Sequence, residues 1–224
     1  MIRRALGLLF AALVLAGCGE EPAGKGAATL WVTRDRGNDV MLSVSVPAGI
    51  SAMEALRRKT EVETRHGGRF VQAIDGVEGS IADRRDWFFY VNGYEGDRSA
   101  SDYRLHDGDV LWFDHRSWAK QLRVPVVVGA FPEPFVHGFD GNRRPTVVEG
   151  PGGKTAKLLA RLVGGSVGGS VEGANRLVLV QRSGFRARLT GAPGDPVLFE
   201  LGLADARRLV RDPTLARYRY EGLR

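Results

Sequence analysis

The sequence predicts an α+β protein of two consecutive domains, and three features support this prediction. Segments in which apolar and polar residues alternate, the period of half-buried strands, occur in both halves of the chain. Helix-like segments are few and short, and clusters of Gly, Pro, Asn and Asp separate them from the strands. The length of 224 residues is enough for two domains of about 100 residues each.

The first two predicted strands form a hairpin. Ala28–Arg34 and Val40–Val46 both alternate apolar and polar residues. The intervening Asp35–Asp39 has the composition of a turn, and Pro47-Ala48-Gly49 ends the second strand.

A short helix follows this hairpin. Ser51 is a suitable N-cap, and Glu54 three residues later gives the capping-box pattern. We expect the helix to run to about Lys59 with one apolar stripe facing the core.

Three further strands complete the first predicted domain, residues 28–118. They are Phe70–Ile74, Trp87–Val91 and Val110–Phe113. Asn92-Gly93, after the second of them, predicts a tight hairpin turn because this dipeptide tolerates positive φ. The predicted order is β-β-α-β-β-β, and two hairpins that clasp one helix describe a β-grasp fold.

Residues 119–224 predict a second, small α+β domain. It begins with an apolar run, Val124–Val128, and a proline-rich turn region, Phe131–Phe135. The expected elements after these are a helix at Lys154–Val163, a flexible break at Gly164–Ser170, strands at Arg176–Gln181, Phe185–Thr190 and Val197–Leu201, and a helix at Ala204–Arg211.

The first residues predict export and lipidation. A basic start and a run of small and apolar residues precede Leu15-Ala16-Gly17-Cys18, which resembles the bacterial lipobox. Cys18 is the only cysteine in the chain, so it has no partner for an intrachain disulfide. We expect residues 1–17 to be a lipoprotein signal peptide, Cys18 to carry the lipid and residues 18–27 to form a flexible tether. The protein would then be extracytoplasmic and anchored to a bacterial membrane by its acyl chains.

Charge is distributed unevenly along the chain. Residues 27–118 contain 12 Lys and Arg against 15 Asp and Glu, a net charge of −3. Residues 119–224 contain 17 against 9, a net charge of +8. The arginines are scattered and not interleaved with aromatic residues, so we expect a solvated basic surface and no nucleic-acid partner.

Two short motifs suggest enzymes, but their surroundings argue against the corresponding chemistry. Gly150–Thr155 ends like a phosphate-binding loop, yet Val148 stands where that motif needs glycine, and no clean strand leads into it. Gly164–Gly168 matches the G-x-S-x-G pattern of serine hydrolases. That mechanism requires a strand before the serine and a histidine after it, whereas here a helix precedes it and the last histidine is His137.

The titratable residues give no clear metal or catalytic site. The four histidines, His66, His106, His115 and His137, have no metal-ligand spacing. Asp107-Gly108-Asp109 lacks the spaced acids of a calcium loop and is read as a turn into the last strand. We therefore expect no catalytic residues, no metal ligands and no enzymatic activity.

The first domain resembles a known family. The strings VPAGISAMEALRR, FVQAIDGV and WFFYVNGYEGDRSASDYRLHDGDVLWF are similar, in order and spacing, to the transcobalamin-like C-terminal domain. This domain is catalogued in bacteria largely as a domain of unknown function, and it belongs to a β-grasp group that binds soluble ligands. The resemblance covers about residues 28–116. It implies a cobalamin-like or other flat ligand, although the helical barrel that holds most of the cobalamin in eukaryotic relatives is absent here.

The aromatic strand is the candidate ligand site. It offers Trp87, Tyr90 and Tyr94 for stacking on a planar molecule, and Asn92 and Gly93 at the turn for polar contacts. One face of this strand must be core, because alternate side chains point to opposite faces of the sheet.

The sequence thus predicts a non-catalytic, lipid-anchored binding module for a small soluble ligand. The alternative is an envelope protein that binds another protein or a wall polymer and has no small-molecule ligand. No cofactor is expected beyond cobalamin as a ligand.

Overall fold

The structure is a computed structural model that describes residues 26–224. The predicted signal peptide at 1–17, the lipidation at Cys18 and nearly all of the predicted tether at 18–27 lie outside the described residues. The described chain is a mixed α+β protein with several sheets and few helices, as predicted for the fold class.

The first half of the chain contains eight strands and one helix. In chain order they are β1 (Ala27–Arg34), β2 (Asp39–Pro47), α1 (Ala52–Arg57), β3 (Val62–Arg65), β4 (Phe70–Ile74), β5 (Val77–Glu78), β6 (Arg85–Val91), β7 (Tyr94–Glu95) and β8 (Val110–Ser117). Five of them form one sheet in the order β2-β1-β8-β6-β7. β1 pairs with β2 in the predicted antiparallel hairpin and with β8 in parallel.

Helix α1 begins where the sequence predicts and ends two residues earlier, at Arg57. The Ser51 hydroxyl accepts a hydrogen bond from the Glu54 amide at 3.1 Å, which is the predicted N-cap. Glu54 does not complete the capping box, because its carboxylate pairs with Arg58 one turn later. The buried side chains of α1, among them Met53 and Leu56, lie in the core with the apolar face of the sheet.

Three short strands of the first half are absent from the sequence prediction. β3 and β5 flank β4 in a separate sheet of three strands, and β7 follows the Asn92-Gly93 turn. Two-residue strands such as β5 and β7 are too short to show a period of alternation. The order of elements is therefore more complex than the predicted β-β-α-β-β-β.

The second half contains five strands, two helices and a 3₁₀ turn. They are β9 (Thr146–Glu149), α2 (Lys154–Leu162), β10 (Ser166–Val167), β11 (Asn175–Val180), β12 (Phe185–Leu189), β13 (Val197–Gly202), α3 (Leu203–Arg211) and the turn Pro213–Ala216. They form a sheet in the order β10-β9-β11-β13-β12, in which only β12 is antiparallel to its neighbour.

Strand β9 corrects one sequence argument. We predicted no clean strand before Gly150, but β9 pairs in parallel with β11 and leads directly into the glycine-rich segment and α2. The four residues of β9 follow Arg143, Arg144 and Pro145, so too little alternation was visible to predict a strand. The predicted flexible break after α2 also contains β10, which pairs with β9.

Buried side chains join the two halves of the chain. One core cluster extends from Leu30 in β1 to Leu209 in α3. On the opposite face of the first sheet is a second cluster, named here the aromatic core. It consists of Trp31, Tyr90, Trp112, Tyr218 and Tyr220 with Val124, Val127 and Ala130, and the partly buried Phe88 and Val110 pack against it. The last two tyrosines come from the C-terminal end. The predicted division into two domains at residue 118 therefore stays a prediction.

None of the helices within residues 26–224 is long and apolar enough to span a membrane.

Candidate functional site

An aromatic cavity of about 280 Å³ opens between the first sheet and the three-stranded sheet. Strands β4, β6 and β8 and the loop after β7 supply its walls. The lining residues are Arg65, Arg69, Phe70, Val71, Asp86, Trp87, Phe88, Phe89, Glu95, Gly96, Arg98, Ser99, Ala100 and Phe113.

Strand pairing explains why the aromatic rings meet in this cavity. Phe89 on β6 lies opposite Phe113 on β8, and the two rings stack with centroids 5.6 Å apart and planes 27° apart. Trp87, two residues before Phe89, lies on the same face because side chains alternate along a strand. At the opening, Phe70 of β4 is 54% exposed. The cavity therefore has a stacked aromatic floor and an accessible aromatic edge.

The charged side chains around the cavity form ion pairs within the protein. Arg65 pairs with Asp86, and Arg69 pairs with Asp102 at 2.7 Å. Arg98 pairs with Asp97 at 2.8 Å and with Asp140 at 3.0 Å. The hydrogen bonds that Arg98 donates to the Asp97 carboxylate are the main reason why the pKa of Arg98 is raised. Among the described lining residues, Ser99 is the only one with a hydroxyl group, and this hydroxyl donates to the backbone carbonyl of Arg69.

Glu95 and a buried arginine support one wall. The Glu95 carboxylate accepts a hydrogen bond from Arg123 at 2.7 Å and lies 3.7 Å from the guanidinium of Arg116. Arg116 is fully buried, stacks 3.7 Å over the Phe88 ring, and donates to three backbone carbonyls. A buried guanidinium with these partners fixes the position of Phe88.

Of the predicted site residues, Trp87 lines the cavity. Its ring packs against His115 at 5.1 Å, and its indole N–H donates to the carbonyl of Val77 at 2.9 Å. Tyr90 points to the other face and belongs to the aromatic core, where burial raises its pKa to about 12.

Asn92 and Gly93 form the predicted turn and lie inside the protein. Their φ angles are 50° and 86°, which confirms the positive-φ turn. The Asn92 amide donates to the Asp109 carboxylate at 2.7 Å and to the Gly138 carbonyl at 2.9 Å, and its oxygen accepts from the Val110 amide at 2.8 Å. These contacts hold together three distant segments of the chain.

Tyr94 is also interior. Its hydroxyl donates to the carbonyl of Asp195 at 3.0 Å, its ring packs against Phe139 at 5.3 Å, and burial raises its pKa. The structure thus brings one of the five predicted residues, Trp87, to the cavity and surrounds Tyr90, Asn92, Gly93 and Tyr94 with protein. Their role in ligand binding stays a prediction.

Sequence reasoning missed the other cavity residues. Phe70, Phe113 and the arginines Arg65, Arg69 and Arg98 are distant from the aromatic strand in sequence. Phe113 could have been found, because an antiparallel partner strand places its aromatic residue opposite Phe89. Nothing in the local pattern indicates that β4 approaches the same face.

A second polar cluster lies beside the Asn92 turn. His137 contacts the Glu133 carboxylate at 2.7 Å, and His106 lies 3.6 Å from the Asp109 carboxylate. Burial raises the pKa of both Asp109 and Glu133. Among residues 26–224, no three His, Cys, Asp or Glu side chains are arranged to hold a metal ion. The contacts here orient the turn and the loop around His137.

Comparisons with known proteins find a family model that matches part of the chain. The family model described as "Domain of unknown function (DUF4430)" matches residues 49–117, which is less than half of the chain. The predicted resemblance to a catalogued domain of unknown function is confirmed over these residues. No curated protein matches the chain.

Two solved structures are similar to part of the chain. Haptocorrin in complex with Cbi has 17% identity and a TM-score of 0.33, and the match covers 40% of this chain and 25% of haptocorrin. A candidate metal-binding protein from Ruminococcus gnavus ATCC 29149 has 14% identity and a TM-score of 0.35, covering 42% of this chain and 98% of that protein. The chain thus spans one quarter of the length of haptocorrin.

Proposed function

We propose that this protein is a non-catalytic, lipid-anchored binding module, and that it binds a small, flat, uncharged molecule in the aromatic cavity. The observation that carries the proposal is the cavity itself, in which stacked rings form the floor and an exposed ring stands at the opening. Such a lining binds the face of a planar molecule by stacking and burial of apolar surface.

The proposal includes a β-grasp fold for the first half of the chain. The central strands β1 and β8 are parallel, each has an antiparallel neighbour on its other side in the sheet (β2 and β6), and α1 packs on one face. The family match over residues 49–117 and the sequence resemblance over residues 28–116 support the same assignment.

The charge balance of the lining supports an uncharged ligand. Each arginine and carboxylate at the cavity already has an oppositely charged partner in the protein. A charged ligand would have to break one of these pairs, at a cost in free energy that an apolar ring does not incur. The same pairing leaves no free base or nucleophile in the lining, which supports a binding role rather than catalysis.

The cavity volume limits the size of the ligand. Small-molecule sites range upward from about 300 Å³, and this cavity is at that lower limit with 280 Å³. A two-ring molecule fits, whereas the macrocycle of a corrinoid would remain outside. Cobalamin would therefore bind by inserting a planar group such as its benzimidazole base.

The membrane anchor rests on the sequence alone. The lipobox-like segment that ends at Cys18 supports lipidation and an extracytoplasmic location. Metabolic labelling with a fatty acid tests it, since the Cys18→Ala protein should incorporate no label.

Calorimetric titration of the full chain tests the ligand proposal, with 5,6-dimethylbenzimidazole and cyanocobalamin as probes. We expect the base to bind, and the Phe70→Ala variant to bind it about fivefold more weakly, because one stacking ring is lost. Phe70 is exposed, so its removal should not affect folding.

Ile81→Ala is the matched control, because Ile81 is a large apolar side chain, 79% exposed, outside the cavity. This variant should bind the base as the wild type does. Absence of binding by both probes would contradict the proposed ligand class, as would equal losses in the two variants.

A further inference from the structure

A second groove separates strand β12 from the segment that follows β8. It has a volume of about 500 Å³ and is named here the edge groove. Its lining residues are Arg36, Gln121, Val124, Pro125, Val126, Arg186, Ala187, Arg188, Leu189, Thr190, Tyr220 and Glu221. Five of these are consecutive, so the whole length of β12 after Phe185 forms one wall.

β12 is an edge strand with one free side. Among the described residues it pairs only with β13, and Arg186 lies opposite Glu200 in that ladder. The amide of Gly202 donates to the carbonyl of Gly184 at 2.7 Å, so even-numbered residues of β12 direct their backbone groups to β13. The backbone groups of Phe185, Ala187 and Leu189 must then point away from the sheet.

Only the first of these three outward positions has a partner within residues 26–224. The carbonyl of Phe185 accepts from the Gly222 amide at 2.7 Å, where the C-terminal end passes β12. The backbone groups of Ala187 and Leu189 point toward the groove and have no hydrogen-bond partner in the described part of the chain. Unpaired donors and acceptors along a strand edge are a template for another strand.

The opposite wall of the edge groove, formed by the segment after β8, also has backbone groups that are unpaired among the described residues. The carbonyl of Pro125 accepts from Glu95, and the amide of Val127 donates to Gly93, so both bonds face β7. Val126 lies between them opposite Tyr94, and its own backbone groups point away from β7. The floor is apolar, since Val124 and Val126 are buried.

Three of the four charged side chains around the groove are basic. Arg186 and Arg188 are both exposed on β12, and Arg36 stacks 4.2 Å from the Tyr220 ring. Within the described residues the Arg36 guanidinium has no carboxylate partner, and the only acid in the lining is Glu221, 3.7 Å from Arg186. Arg188 shares the Glu200 carboxylate with another arginine.

We propose that the edge groove binds an extended, acidic segment of a partner protein, which adds to β12 as a further strand. Backbone hydrogen bonds to Ala187 and Leu189 would give affinity, and the arginines would select acidic side chains. The site is separate from the aromatic cavity, so it does not depend on the proposed small-molecule ligand.

A peptide titration tests this proposal on the full chain. The probe is a capped peptide of about six residues, the usual length of a strand, with alternating Thr and Glu. One control carries N-methyl groups on alternate residues, which removes the donors of one edge and keeps the charge. A second control replaces Glu by Lys. We expect the parent peptide to bind at least about tenfold more tightly than either control.

Two variants of the protein complete the test. Ala187→Pro removes one outward N–H and leaves the ladder to β13 intact, so it should fold and lose binding about tenfold. Arg186→Glu changes only an exposed side chain and should shift the preference toward the Lys peptide. Circular dichroism verifies that both variants are folded.

Three results would overturn the proposal. Equal binding of the N-methylated peptide would show that charge alone attracts the probe, as it would attract any polyanion. Full binding by Ala187→Pro would place the peptide elsewhere, and equal binding of the Lys peptide would remove the acidic specificity. The N-methylated control decides the question even if Ala187→Pro fails to fold.

Discussion

At the scale of single residues, Asn92 shows how one side chain serves both local and distant structure. Its positive φ makes the turn after β6, and its amide connects that turn to Asp109 and Gly138. The side chain has no exposed surface. From the sequence, Asn92 is predicted to contact a ligand, whereas in the structure its side chain stabilises the loops beside the sheet.

We expect Asn92→Ala to destabilise the protein by about 3 kcal/mol, because buried partners lose their hydrogen bonds. Urea unfolding followed by circular dichroism measures the difference. Asn142→Ala is the control: Asn142 is exposed and its amide makes one hydrogen bond, so the loss should be about 0.5 kcal/mol. Equal losses would show that the network around Asn92 contributes little.

His115 predicts a dependence of stability on pH. Burial and the nearby Arg85 lower its pKa below 6.5, so the unfolded chain takes up a proton first as the pH falls. Other groups close to the ring are Asp114 and Asp35, which act in the opposite direction. The free energy of unfolding therefore decreases as the pH falls below 6.5. The decrease is complete once the pH is below the pKa that His115 has in the folded state.

His115→Gln removes this titration and retains a donor for the Glu78 carbonyl. Between about pH 7 and pH 5 the wild type should lose more unfolding free energy than the variant does. Thermal unfolding in matched buffers measures both slopes. Parallel slopes would mean that His115 titrates alike in the folded and unfolded states.

At the scale of elements, α1 depends on its cap because it has only six residues. Short helices are marginal without tertiary contacts and capping. Ser51→Ala should cost about 1 kcal/mol of unfolding free energy, since the Glu54 amide loses its acceptor. Ser45 on β2 is the control, because it is exposed and does not cap a helix. Ser45→Ala should change the free energy of unfolding by less than about 0.5 kcal/mol.

The elements also show what a single sequence can predict. Strands such as β1 and β11 were recognised because their alternation continues over six or more residues. β9 was missed because its pattern lasts four residues, and β5 and β7 because theirs last two. The cavity was missed because Phe70, Phe89 and Phe113 come from three strands whose meeting depends on the packing of one sheet on another.

At the scale of the whole molecule, the C-terminal end completes the first sheet. Tyr220 packs against Trp112 and Tyr90 at 5.4 Å and 5.5 Å, and its hydroxyl donates to the buried Asp114 at 2.8 Å. Asp114 also accepts from Thr33 and from the amides of residues 36 and 37. The first half therefore obtains the cover of one sheet face from the last residues of the chain.

A chain that ends at residue 118 should not fold cooperatively, because the aromatic core would be exposed to water. Near-UV circular dichroism during urea unfolding measures this against the full chain. A cooperative transition with native-like aromatic signals would show that residues up to 118 form an independent domain, as the sequence analysis predicts.

The central claim is that a small planar molecule stacks in the aromatic cavity, and one NMR titration tests it most directly. The chain has four tryptophans. The Trp87 ring lines the cavity and its indole N–H donates to the Val77 carbonyl, while Trp31 and Trp112 lie in the aromatic core. On addition of 5,6-dimethylbenzimidazole, the Trp87 indole resonance should shift in a saturable way, and those of Trp31 and Trp112 should stay in place. An unchanged Trp87 resonance, or shifts confined to the aromatic core, would contradict the claim.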